Sequence, residues 1–214
     1  MQRWILIAAG LGLVLFYGLG GWRGLFGSPT AGLRDPAGVA AFLTGPVDFN
    51  ASPVPATVRV RGADGMEPLI ADPGRVGIVV TWASWCAICR EELPVLARLQ
   101  EETGIPVRAV SVEPRDSMAA IAAYLRRRGL DGFAPLHDEN GALVEMIGVQ
   151  AIPVSLVIDR FGQVVGRFVG RGPWAQKETR DWLAALGAAK DPAESRALLA
   201  RFTGRTVQPV PASP

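Results

Sequence analysis

Val76-Gly77-Ile78-Val79-Val80-Thr81-Trp82-Ala83-Ser84-Trp85-Cys86-Ala87-Ile88-Cys89-Arg90-Glu91-Glu92-Leu93-Pro94 is the stretch that decides the fold. Val76 to Trp82 is an apolar, β-branched run of the kind that forms a strand buried in a sheet. After Cys89 the pattern changes. Leu93, Leu96 and Leu99 recur with Glu and Arg between them, which predicts an amphipathic helix from Cys89 to Glu101. Pro94 removes one backbone donor from that helix and is expected to kink it. The two cysteines therefore stand where a buried strand hands over to a helix.

Cys86 and Cys89 are the chain's 2 cysteines. Two thiols cannot form the disulfide framework of a small secreted domain, nor complete a four-ligand zinc site. A pair at this spacing on a helix start can close into a disulfide. It also sets the first sulfur beside unpaired backbone N–H groups and the positive end of the helix dipole, which favours thiolate at Cys86. Cys86 is then the attacking sulfur, and Cys89, one turn in, the resolving one. The competing assignment is two structural cysteines or half of a metal site. The strand, the flanking Trp82 and Trp85 and the helix favour the redox pair.

Working outward, the elements alternate. Ala56 to Arg61 reads as a strand, followed by a turn at Gly62-Ala63-Asp64-Gly65. Beyond the cysteine helix come a buried strand at Val107 to Val112, a helix at Asp116 to Arg128 ended by Gly129, and a short strand at Phe133 to Leu136. A short helix at Gly141 to Ile147 stops at Gly148. Val154 to Ile158 and Gln163 to Val169 form a hairpin about Asp159-Arg160-Phe161-Gly162, and helical spacing returns from Trp174 to Leu186. This is an α/β chain with a mixed central sheet flanked by helices.

The ends are of another character. Trp4 to Trp22 holds no charged residue, and those nineteen residues fit the roughly 17–25 needed to cross a bilayer. Residues 1–22 are expected to be an N-terminal transmembrane anchor, with a cleaved signal peptide as the alternative. Residues 23–55, rich in Gly, Pro and Ala, read as a linker, 56–187 as the folded domain, and 188–214 as a tail that is partly disordered. Within that tail Asp191-Pro192-Ala193-Glu194 has capping-box spacing for one short helix. The net charge of +2 gives no support for a nucleic-acid partner.

Trp82-Ala83-Ser84-Trp85-Cys86-x-x-Cys89 followed by Arg90-Glu91-Glu92-Leu93-Pro94 resembles the thioredoxin-like thiol-disulfide oxidoreductases of the TlpA/ResA/CcmG (DsbE) type. The resemblance spans about Ala56 to Leu186, with Val112 to Gly148 resembling the insertion that sets this group apart from plain thioredoxin. It implies a thioredoxin-like fold and a dithiol that reduces particular protein disulfides without a cofactor. Such substrates include apocytochrome c and copper-site proteins of respiratory oxidases. It also implies electrons from a membrane thiol donor, and a bacterial inner-membrane anchor with the domain facing the periplasm or exterior. By the same resemblance the Ile152–Pro153 peptide is expected to be cis and to face the cysteines, with the Ile152 backbone pairing to substrate. Glu92, three residues beyond Cys89 and on its helix face, is expected to exchange a proton with it. Trp85 is expected to lie on the docking surface, and Glu91 to be a solvated helix residue.

Three positions depart from the family pattern. Val80 stands where thioredoxin has a buried acid, Ile88 where many relatives have proline, and Ile152 where threonine is frequent. They leave open a disulfide-forming oxidant, or a copper-binding assembly factor using the thiolates. No metal site is expected. His137, the single histidine, reads as a loop residue at the surface.

Overall fold

The computed structural model describes residues 53–70, 72, 74–148 and 151–203. Its frame is a seven-stranded sheet of order β2-β1-β5-β4-β3-β6-β7. The strands are β1 Arg59–Gly62, β2 Gly65–Pro68, β3 Gly77–Trp82, β4 Val107–Ser111, β5 Leu136–His137, β6 Val154–Ile158 and β7 Val164–Val169. The helices are α1 Ala87–Thr103, α2 Met118–Arg127, α3 Ala142–Ile147, α4 Lys177–Ala188 and α5 Pro192–Thr203. β3 runs parallel to β4 on one side and antiparallel to β6 on the other, so the sheet is mixed.

The alternation of β3 divides two cores. Ile78, Val80 and Trp82 face Leu93, Leu96, Leu99, Ile121, Leu125, Trp182 and Leu186 from α1, α2 and α4. Val79 faces the other way, toward Val60, Leu69, Val110, Leu143, Ile147 and Leu156. A strand sandwiched like this must be apolar on both faces, which is why Val76 to Trp82 is a near-continuous run. The arrangement is thioredoxin-like: an α/β fold with a mixed sheet flanked by helices.

Several elements depart from the sequence reading. The first strand starts at Arg59 and folds back at Gly65, whose φ of 126° suits glycine, into β2, which the polar Gly-Met-Glu-Pro segment does not advertise. The short strand expected at Phe133 to Leu136 is displaced to Leu136–His137. Pro135 has no N–H to give a ladder, and pairing begins at Val110↔Leu136 and Ser111↔His137. His137 is correspondingly buried, not a surface loop residue. It lies in β5 between β4 and β1, with Nε2 3.0 Å from the Glu113 carbonyl oxygen. α2 begins at Met118, because Ser117 caps it by accepting the Ala120 N–H at 3.1 Å. α4 begins at Lys177, so Trp174 lies in the loop before it.

α1 continues through Pro94 and ends at Gly104, whose left-handed φ of 69° lets its N–H reach Gln100 O at 2.8 Å. In α5 the Asp191 carboxylate accepts the Glu194 N–H at 2.8 Å, while the Glu194 carboxylate accepts from Lys190 N at 2.9 Å. This is a reciprocal cap with its return bond one residue earlier than the usual box. Phe202 of α5 stacks on Trp182 of α4 at 4.7 Å. Among the described residues no helix is long and apolar enough to cross a membrane. The expected anchor, most of the linker and the proline-rich end of the tail lie outside the described residues.

Candidate active site

β3 ends at Trp82, and after four intervening residues the chain enters α1 at Ala87. Cys86 is the N-cap: its backbone is extended, and its Sγ accepts the Cys89 N–H at 3.1 Å. The two cysteines form a disulfide with Cα atoms 5.3 Å apart. A helix start thus supplies an N–H to the sulfur of Cys86, where it favours negative charge on release. Cys86 is only 6% exposed and Cys89 1%, whereas neighbouring Trp85 is 66% exposed. The sulfur pair is therefore sheltered beside a protruding apolar side chain.

The antiparallel course of β6 brings its first residues to the same pole. The Ile152–Pro153 peptide is cis, and the Ile152 carbonyl oxygen lies 3.9 Å from Cys86 Sγ. Proline cannot donate to the ladder, and the contact between β3 and β6 is completed here by a side chain. Thr81 Oγ1 accepts the Val154 N–H at 2.8 Å and lies 3.3 Å from the Val154 carbonyl. Ile152 is half-buried and Pro153 buried.

Glu92 is 2% exposed on the inner face of α1, one turn beyond Cys89. Its Oε1 accepts the Gly172 N–H at 2.8 Å and the Trp174 indole N–H at 2.6 Å. Its Oε2 is buried with no hydrogen-bond partner. Burial pushes the carboxyl above its ordinary value of 4.5, against the lowering pull of Gly172, Trp174 and the Arg171 charge. Val80 is buried at 1% at the position where thioredoxin has a buried acid, which leaves Glu92, one helical turn beyond Cys89, as the buried acid on α1. Glu91 is exposed and ion-paired with Arg171.

Sequence reasoning missed Glu113. Its carboxylate accepts from the Ser84 hydroxyl at 2.9 Å and from the Ser84 N–H at 3.3 Å, bracing the turn that presents Cys86. Glu113 is in turn held through its carbonyl by His137. It follows β4 in an unpatterned loop, and only the parallel pairing of β4 with β3 brings it near. Among the described residues no three His, Cys, Asp or Glu side chains group as metal ligands. A cleft of about 290 Å³ lined by Leu69, Ile70, Ile78, Pro106 and Ile158 lies at the opposite pole, away from both cysteines. The chemistry belongs to the surface around Cys86, not to that cleft.

A redox-closed Cys-x-x-Cys capping the helix after the central strand, with a cis-proline loop against it, defines a thiol-disulfide oxidoreductase. The comparisons place the chain more narrowly. The Redoxin family matches residues 51–186, and the chain belongs to that family. Over 172 residues it is 28% identical to the thiol:disulfide interchange protein DsbE of Pseudomonas fluorescens biotype C, covering 79% of this chain and 86% of that protein. The thiol-disulfide oxidoreductase ResA of Bacillus thuringiensis is 28% identical over 100 residues, 45% of this chain and 56% of ResA. Among solved structures, the thio-disulfide isomerase of Thermus thermophilus is similar with a TM-score of 0.53 and 30% identity, over 67% of this chain and 100% of that one.

Proposed function

We propose that this oxidoreductase works outside the cytoplasm, held to the bacterial inner membrane by residues 1–22, and reduces specific protein disulfides. The observation that carries this reading is the Cys86–Cys89 disulfide at the start of α1 beside the cis Ile152–Pro153 loop, with the buried Glu92 carboxyl one turn further on as a proton partner for the resolving sulfur. In the dithiol form the Cys86 thiolate attacks one sulfur of a substrate disulfide. The other substrate sulfur leaves as a thiolate, and a mixed disulfide forms. Cys89 passes its proton to Glu92 and attacks Cys86 Sγ, which expels the second substrate sulfur and closes the Cys86–Cys89 disulfide. A membrane thiol donor reverses the cycle by attacking that disulfide, and Glu92 returns the proton to Cys89. The Ile152 carbonyl supports backbone pairing with the substrate chain beside Cys86, with Pro153 fixing the loop. Trp85 supplies an apolar docking surface.

The resemblance to DsbE and ResA supports substrates of the cytochrome c maturation or respiratory copper-site kind. The deciding experiment is the reduction potential of the Cys86/Cys89 couple in thiol redox buffers. A value near about −270 mV, as in thioredoxin, fits a reductase. One near about −120 mV, as in a strong disulfide donor, makes the protein an oxidant instead. Tight binding of one Cu(I) by the two thiols without catalysis would favour the copper-assembly reading.

A further inference from the structure

Three contacts fasten the loop between β7 and α4 to α1, and all three converge on consecutive acids. Arg171 pairs with Glu91, while the Gly172 N–H and the Trp174 indole N–H both end on one oxygen of Glu92. Trp174 is itself fixed. It is 1% exposed and meets Phe168 edge-on at 5.1 Å. Its indole occupies the space a Cβ on residue 172 would need, which accounts for glycine there. The two oxygens of Glu92 therefore differ. Oε1 is saturated by two fixed donors, and Oε2 is buried with none. A carboxyl so held presents Oε1 only as an acceptor, so a proton belongs on Oε2.

We propose that Trp174 is a positioning residue for the redox reaction: its indole N–H, with the Gly172 N–H, locks Glu92 so that Oε2 carries the proton exchanged with Cys89. This rests on the reading of Glu92 as the proton partner of Cys89. The step balances simply. When an incoming thiolate breaks the Cys86–Cys89 bond, the electron pair goes to Cys89 Sγ and the proton moves from Oε2 to that sulfur. The reverse transfer accompanies closure. The charge acting on Glu92 is that of Arg171, which is shared with Glu91, and Cys89 precedes it by one helical turn. Neither offers the directional bond that the indole does.

The test is the pH dependence of the reduction potential of the full-length protein in detergent, for wild type, E92Q, W174F and the double variant. The wild-type plot should change slope at a pH set by Glu92, and E92Q should abolish that break. W174F removes one donor to the charged form, so the break should move up by about one pH unit, a tenfold gain in proton affinity. W174F should have no effect on the plot in the E92Q background. If E92Q leaves the break in place, the Glu92 reading fails and this inference with it. If E92Q abolishes the break but W174F does not move it, Glu92 stands and Trp174 is structural only. A wild-type measurement removes dependence on the folding of W174F. The Trp174 indole N–H resonance of the oxidised protein should titrate at the pH of the break, and an indole signal flat across that pH overturns the proposal.

Discussion

Glu92 makes the oxidised protein's stability depend on pH in a direction opposite to most carboxylates. Burial holds its folded-state value above 4.5, so the folded protein keeps a proton that the unfolded chain has lost. The stabilisation from the neutral carboxyl is fully present below 4.5 and disappears as pH rises through the folded value. E92Q keeps an acceptor for Gly172 and Trp174 and cannot ionise. Its melting temperature relative to wild type should therefore climb between pH 4.5 and the folded-state value and then level off. A difference that stays constant across pH 4 to 8 would show that the carboxyl is not held neutral. Glu92 was a candidate in the sequence because it lies one helical turn from Cys89. Trp174 was not, since its role depends on a loop 82 residues further on, and its aromatic character reads equally well as helix core. Ser84 and Glu113 were hidden in the same way, by a separation of 29 residues.

At the scale of elements, α1 and α3 depend on different devices. α1 is anchored by its leucines. Leu96 is 0% exposed between α1 and the sheet, and L96A should cost about 2–5 kcal/mol in urea denaturation. α3 has only six residues and takes its start from Asp138, whose carboxylate accepts the Leu143 and Val144 N–H groups, each at 3.0 Å. D138A leaves both donors without that partner and should cost about 1–3 kcal/mol, with D138N costing less. Equal losses for the two variants would mean that the neutral Asn acceptor cannot stand in for the carboxylate and that the charge is what counts. The helices and central strands were readable because their periodicities are long and uninterrupted. β2 and β5 were misread for opposite reasons. β2 is a polar hairpin arm with no apolar alternation, and β5 has only two residues, placed by their neighbours β1 and β4. His137 was misjudged along with β5, since its burial follows from the pairing and not from its own chemistry.

Over the whole molecule, the parallel and antiparallel neighbours of β3 bring the cysteine turn, the Glu113 loop and the Ile152–Pro153 loop to one pole. Cys86 is sheltered there and Trp85 is not, so on the proposed roles chemistry and recognition fall to different residues. W85A should lower kcat/KM for a protein disulfide severalfold while leaving the rate with a small dithiol nearly unchanged. Equal loss with both would place Trp85 in the chemistry rather than in docking. In C89A the mixed disulfide cannot be resolved, so covalent adducts through Cys86 should accumulate in cells and disappear on adding reductant. Absence of any adduct would argue against attack by Cys86.

The bridge between Pro53 and Gln163, with Val54 N–H bonded to Gly162 O, fixes where the described chain joins the sheet. Gly162 lies in the turn between β6 and β7, beside the start of β3, while Cys86 follows its end. The six residues of β3, roughly 20 Å of strand, separate the two. The described chain therefore enters the sheet at the end of β3 remote from the disulfide, so a label placed at Pro53 would stand well back from the redox surface.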